Sequence, residues 1–96
     1  MTTKEKLFEK RSIIKEIAAK HGAYDIRIFG SVSRGDAKEG SDIDLLVKTE
    51  ENTSPWFPGG LIADLEDMLG QKVEVVTEKG LNNLIRDQVL KEATPL

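Results

Sequence analysis

The sequence predicts a small α/β (α+β) fold, a mixed sheet covered by helices mainly on one face. Three observations carry that expectation. Tyr24-Asp25-Ile26-Arg27-Ile28-Phe29 alternates polar and apolar residues as a half-buried strand does. Ile43-Asp44-Leu45-Leu46-Val47 and Val73-Glu74-Val75-Val76-Thr77 read as two further strands, each with one carboxylate among apolar residues. Around these strands, apolar residues recur at helical spacing near both ends of the chain and once in the middle. A chain of 96 residues makes one domain, 1–96, with a modest core.

Thr3 is placed to cap a first helix from Lys4 to His21, with Leu7, Ile14, Ile17, Ala18 and His21 near one stripe. Gly22 stands where a left-handed C-terminal cap belongs. His21 is the only histidine and invites a catalytic role, but its place in the last turn favours a contact with the helix dipole. The first strand puts Tyr24, Ile26 and Ile28 on one face and Asp25, Arg27 and Phe29 on the other. Ser31 to Arg34 forms a short helical turn. The second strand, Asp42–Lys48, turns Ile43, Leu45 and Val47 to the helices and Asp42, Asp44 and Leu46 to the opposite face.

Residues 49–60 form a loop in which Trp56 and Phe57 sit between prolines, either as a lid over the next helix or as a surface for adenine stacking or a partner protein. A helix over 60–69 follows, with Leu61, Ile62, Leu65, Met68 and Leu69 on one stripe, and Gly70 ends it. The third strand, 71–77, carries Val73, Val75 and Thr77 on one face and Glu74 and Val76 on the other. A last helix over 81–91 groups Leu81, Leu84, Ile85, Val89 and Leu90, and Pro95 stops it.

Composition narrows the function. Apolar residues at 39% and charged ones at 32% suit a soluble globule. No apolar run approaches the roughly 20 residues of a membrane span, and the opening Met1-Thr2-Thr3-Lys4-Glu5-Lys6 has no signal-peptide core. Without cysteine there is neither a disulfide framework nor a thiolate metal site, so the cytoplasm is the expected location. A net charge of -3 argues against direct nucleic-acid binding.

The chemistry concentrates between Gly30 and Val47. Asp42 and Asp44 are two apart, so on an extended backbone both carboxylates leave one face and repel unless a cation joins them. A hard divalent cation such as Mg²⁺ takes oxygen ligands of this kind. The bland alternative is a capping or turn role, but Asp44 stands inside an apolar strand, where an unpartnered carboxylate is costly. Gly30 and Ser31, at the end of a strand, offer backbone N–H groups and a hydroxyl to a phosphate. Arg34 either neutralises phosphate charge or forms an ion pair with Asp36 or Glu39. Glu74 is either a solvated strand residue or the partner of a charge on the neighbouring strand.

Phe-Gly-Ser-x-x-Arg-Gly followed by Ser-Asp-Ile-Asp-Leu, from Phe29 to Leu45, resembles the signature of the polymerase-beta-like nucleotidyltransferase superfamily, and specifically its minimal nucleotidyltransferase branch. The resemblance implies the nucleotidyltransferase fold and transfer of a nucleotide. It makes Asp42, Asp44 and Glu74 both the metal ligands and the catalytic residues, for one or two Mg²⁺ ions. Gly30, Ser31 and Arg34 then hold the phosphates of ATP. The family's third carboxylate is usually Asp, so Glu74 is a departure whose longer arm reaches a metal or serves as base. Members of this branch are commonly antitoxins that transfer AMP from ATP to a tyrosine of a HEPN-type ribonuclease toxin, which makes such a toxin the expected partner. With no room for an acceptor domain in 96 residues, the acceptor is expected on a docking protein. Two other classes stay open: a non-catalytic binding module that keeps the fold, and an enzyme acting on a small molecule such as an aminoglycoside through a homo-oligomeric site.

Overall fold

A capping box starts the chain: Thr2 Oγ1 accepts the Glu5 N–H at 3.1 Å, and Glu5 Oε1 accepts the Thr2 N–H at 3.1 Å. The cap is therefore Thr2 rather than Thr3, because only Thr2 has a glutamate three residues on. In a computed structural model that describes residues 2–38 and 40–96, α1 (Thr3–Glu9) bends at Lys10 into α2 (Arg11–Lys20), two helices where the spacing predicts one. Next come β1 (Ala23–Phe29), α3 (Gly30–Arg34), β2 (Ile43–Thr49), α4 (Gly59–Leu69), β3 (Val73–Thr77), α5 (Asn83–Glu92) and β4 (Thr94–Pro95). The sheet order is β3-β2-β1-β4. β1 runs antiparallel to β2 and β4, while β2 and β3 are parallel, joined by a crossover through α4.

Ile43, Leu45 and Val47 of β2 are buried against Leu7, Ile14, Ala18, Leu61 and Leu65 of the helices. Truncating a side chain such as Leu45 to Ala would cost about 2–5 kcal/mol.

β1 departs from simple alternation. Tyr24 pairs with Lys48 and Arg27 with Leu46, so β1 spends one residue more than β2 over this stretch. Asp25 takes up the slack at φ 52°. The bulge leaves Tyr24 exposed, although the spacing groups it with Ile26 and Ile28, which are buried.

The second sheet face is divided. Leu46 lies buried beneath Leu81 and Val89, with Phe29, Val76, Leu90 and Ala93 packed around them, so α5 covers the middle of a face expected to stay open. The N-terminal ends of β2 and β3, which carry Asp44 and Glu74, lie outside that cluster. Leu84 and Ile85 do not join it; Leu84 is 92% exposed. Past α5, Thr94 and Pro95 pair with Ile28 and Arg27 as a short edge strand, a place where the missing N–H of proline is tolerated.

The 50–58 loop is pinned rather than draped. His21 Nδ1 meets Ser54 Oγ at 2.6 Å, and Nε2 meets Asp64 Oδ2 at 2.7 Å. Phe57 packs on the main core, whereas Trp56 faces solvent at φ 66°. His21 is thus a structural latch between α2, the loop and α4.

Candidate active site

Because β2 and β3 run parallel, their N-terminal ends lie side by side, and Asp44 is the direct register partner of Glu74. Neighbouring strands sit about 4.8 Å apart, so two carboxylates in register on one face must interact. Asp44 is half-buried and Glu74 exposed. The Asp44 carboxyl is pushed up from 3.8 to about 6, first by burial, then by the charge and hydrogen-bonding contact of Glu74, then by the charge of Asp42. Arg34 is the cation that opposes this rise. Asp42, half-buried just before β2, adds its charge from two residues upstream.

On the other side of β2, β1 sets Phe29 opposite Asp44, and the next residue turns beneath the carboxylate. Gly30 has φ +73°, and a Cβ built there would collide with Asp44 Oδ2. Only glycine fits both the conformation and the approach. Gly30 begins α3, whose N-terminus has no side-chain cap, and Ser31 follows half-buried in its first turn. The turn thus presents N–H donors and one hydroxyl on the side where Asp44 approaches.

α3 has only five residues, and its far end is held from two directions. Lys4 Nζ donates to the Ser33 carbonyl at 3.0 Å. Ser33 is buried; its hydroxyl donates to the Glu92 carbonyl at 2.6 Å and shares a 2.7 Å bond with the Thr94 hydroxyl. Arg34 donates from Nε to Asp36 at 3.3 Å and from one terminal nitrogen to both Glu92 oxygens at 3.3 and 3.2 Å. Of the two ion pairs considered from sequence, Asp36 is present and Glu39 lies outside the described residues. Glu92 was not foreseeable: 58 residues separate it from Arg34, and no local pattern links them.

The predicted residues therefore gather at one end of the sheet. Asp44 meets Glu74 and Gly30 directly, Ser31 follows Gly30, and Asp42 and Arg34 act on Asp44 through their charges. The donors are all oxygens with net negative charge, which fits a hard divalent cation. Yet no three Asp, Glu, His or Cys side chains among the described residues stand ready as a metal-holding group. The chain brings Asp44 and Glu74 together in register, while Asp42 acts on Asp44 through its charge. A cavity of about 260 Å³, beside Tyr24, Lys48, Lys79 and Arg86, sits at the opposite ends of β2 and β3. No helix among the described residues is long and apolar enough to cross a membrane.

Residues 10–96 match the nucleotidyltransferase domain family. The chain belongs to that family. The nucleotidyltransferase is 43% identical over 84 residues, 88% of its own length and 89% of the relative's, to a Methanocaldococcus jannaschii protein provisionally named a protein adenylyltransferase. It is 41% identical over 78 residues to the protein adenylyltransferase MntA of Thermococcus cleftensis, covering 81% of this chain and 79% of that one. A solved structure described provisionally as a minimal nucleotidyltransferase superposes with a TM-score of 0.85 at 45% identity, over 100% of this chain and 97% of the other. A toxin–antitoxin structure with AMP-PNP shares the fold at a TM-score of 0.70 and 22% identity, over 97% of this chain and 71% of that one. The enzyme class and the minimal branch of the family follow from these relatives.

Proposed function

We propose that this nucleotidyltransferase is a cytoplasmic antitoxin that transfers AMP from ATP, with Mg²⁺, to a tyrosine of a partner HEPN-type ribonuclease toxin. The observation that carries the proposal is Asp44 facing Glu74 in register above the Gly30 turn. Asp42 and Asp44 would hold the metal, with Glu74 either sharing it or accepting the proton of the attacking hydroxyl. The chemistry supplied by Mg²⁺ held there would be neutralisation of phosphate charge at the attacking and leaving oxygens. The Gly30 turn and the Ser31 hydroxyl would hold the β- and γ-phosphates, and Arg34 would offset their charge. The tyrosine oxygen then bonds to the α-phosphorus, the bond to the β-phosphate oxygen breaks, and pyrophosphate leaves.

Two features favour an acceptor carried on a protein. The carboxylates lie at the ends of two strands outside the Leu46 cluster rather than in an enclosed pocket, and a net charge of -3 suits RNA poorly. The names of the adenylyltransferase relatives and the toxin–antitoxin complex of the same fold point the same way. AMP on the toxin would set negative charge and bulk against its RNA substrate. Titration calorimetry tests the site: ATP with Mg²⁺ should bind the wild type, and D42N/D44N should lose that binding while staying folded. Undiminished binding by the double variant would refute the assignment.

A further inference from the structure

We infer that Glu92 is a positioning residue: it holds the Arg34 guanidinium at the triphosphate site, making the end of α5 part of the nucleotide-binding apparatus. The inference rests on the site proposed above and adds a residue to it. Arg34 is 47% exposed, and a long side chain so exposed samples many rotamers unless it is tied down. Here it is tied on one side only. Asp36 takes the Nε proton and both oxygens of Glu92 take one terminal nitrogen, while the other terminal nitrogen makes no hydrogen bond or ion pair among the described residues. Arg34 closes the five-residue helix that Gly30 opens against Asp44. The guanidinium, one helical turn after the glycine that packs on Asp44, is thus held by two carboxylates with donors to spare, an arrangement suited to a triphosphate oxygen.

Glu92 is itself well placed for this task. Its side chain is 18% exposed, and its backbone carbonyl accepts the buried Ser33 hydroxyl one residue before Arg34. Thr94, two residues on, bonds the same hydroxyl and pairs with Ile28 in the sheet. Backbone and side chain of Glu92 therefore grip consecutive residues of α3. The backbone grip survives any change of side chain, so a substitution at Glu92 removes only the contact with Arg34 and an exposed 3.2 Å bond from the Gln88 amide.

The test is calorimetric binding of ATP with Mg²⁺ to E92Q, R34A, R34A/E92Q and D42N/D44N, with AMP as a second probe. E92Q should weaken ATP about 5- to 10-fold, leave AMP unchanged and melt close to wild type, because AMP lacks the β- and γ-phosphates. E92D should recover part of the loss. R34A/E92Q should bind no worse than R34A, since Glu92 acts only through Arg34. ATP binding by E92Q equal to or tighter than wild type would overturn the inference, as would additive losses in the double variant. If D42N/D44N loses ATP binding and E92Q does not, the site stands and the role of Glu92 falls. If D42N/D44N binds normally, the site itself is wrong.

Discussion

The carboxylate of Asp44 fills the space that a Cβ on Gly30 would occupy. β2 and the Gly30 turn are thereby packed against each other with only the Asp44 carboxylate between them. G30A should therefore fail twice, by forcing alanine to φ +73° and by displacing Asp44. The left-handed conformation alone costs about 1–2 kcal/mol, and each kcal/mol lowers Tm by roughly 4–8 °C in a domain of this size. Thermal unfolding reads the first effect and Mg-ATP binding the second; a G30A protein that binds normally would remove Gly30 from the site.

Asp44 predicts a pH dependence. Its carboxyl is raised from 3.8 to about 6 by burial and by Glu74 and Asp42, so between those values the folded chain holds more proton than the unfolded one. This group's contribution to stability therefore falls as pH climbs through that window and stays at the lower level above it. The free protein should gain stability from Asp44 on going from pH 7 to pH 5. D44N should lack that gain and melt a few degrees above wild type at pH 7. Melting curves at both pH values for the two proteins decide it; identical pH trends would show that Asp44 does not titrate there.

Glu74 separates catalysis from surface chemistry. E74Q should keep the Tm close to wild type, since the side chain is exposed, and lower nucleotide transfer at least tenfold. E74D, with the shorter carboxylate common in the family, should keep or improve transfer. Equal transfer rates for wild type and E74Q would reduce Glu74 to a solvated strand residue.

The strands, their faces and the carboxylate motif were legible because they depend on period two and on short spacing. Asp44 and Glu74 could be placed on one face, but not in register, since parallel pairing is fixed by the α4 crossover. The cover over Leu46 was also latent in the sequence. Phe29, Leu46 and Val76 are apolar residues on a face otherwise assigned to the site, and they require burial. The bulge at Asp25 was not legible, because one extra residue turns Tyr24 outward without altering the local composition. Ser33, Arg34 and Glu92 meet only through tertiary packing, which no pattern in the chain announces.

His21 gives the converse case, a residue with catalytic chemistry and a structural position. H21A removes bonds to Ser54 and Asp64 and should loosen the 50–58 loop, lowering stability by about 1–3 kcal/mol. Nucleotide transfer, measured below the melting temperature, should be unchanged. A large loss of transfer in folded H21A would return His21 to the catalytic list.

The central claim is transfer of AMP to a protein partner, and the mass of that partner tests it most directly. The chain should be co-expressed with a HEPN-type toxin of the kind proposed as its partner, and that toxin analysed by intact-mass and peptide mass spectrometry. A toxin heavier by one or more AMP units on a tyrosine is expected, and an unmodified toxin when D42N/D44N replaces the wild type. A toxin silenced in a tight complex yet carrying no AMP would contradict that claim.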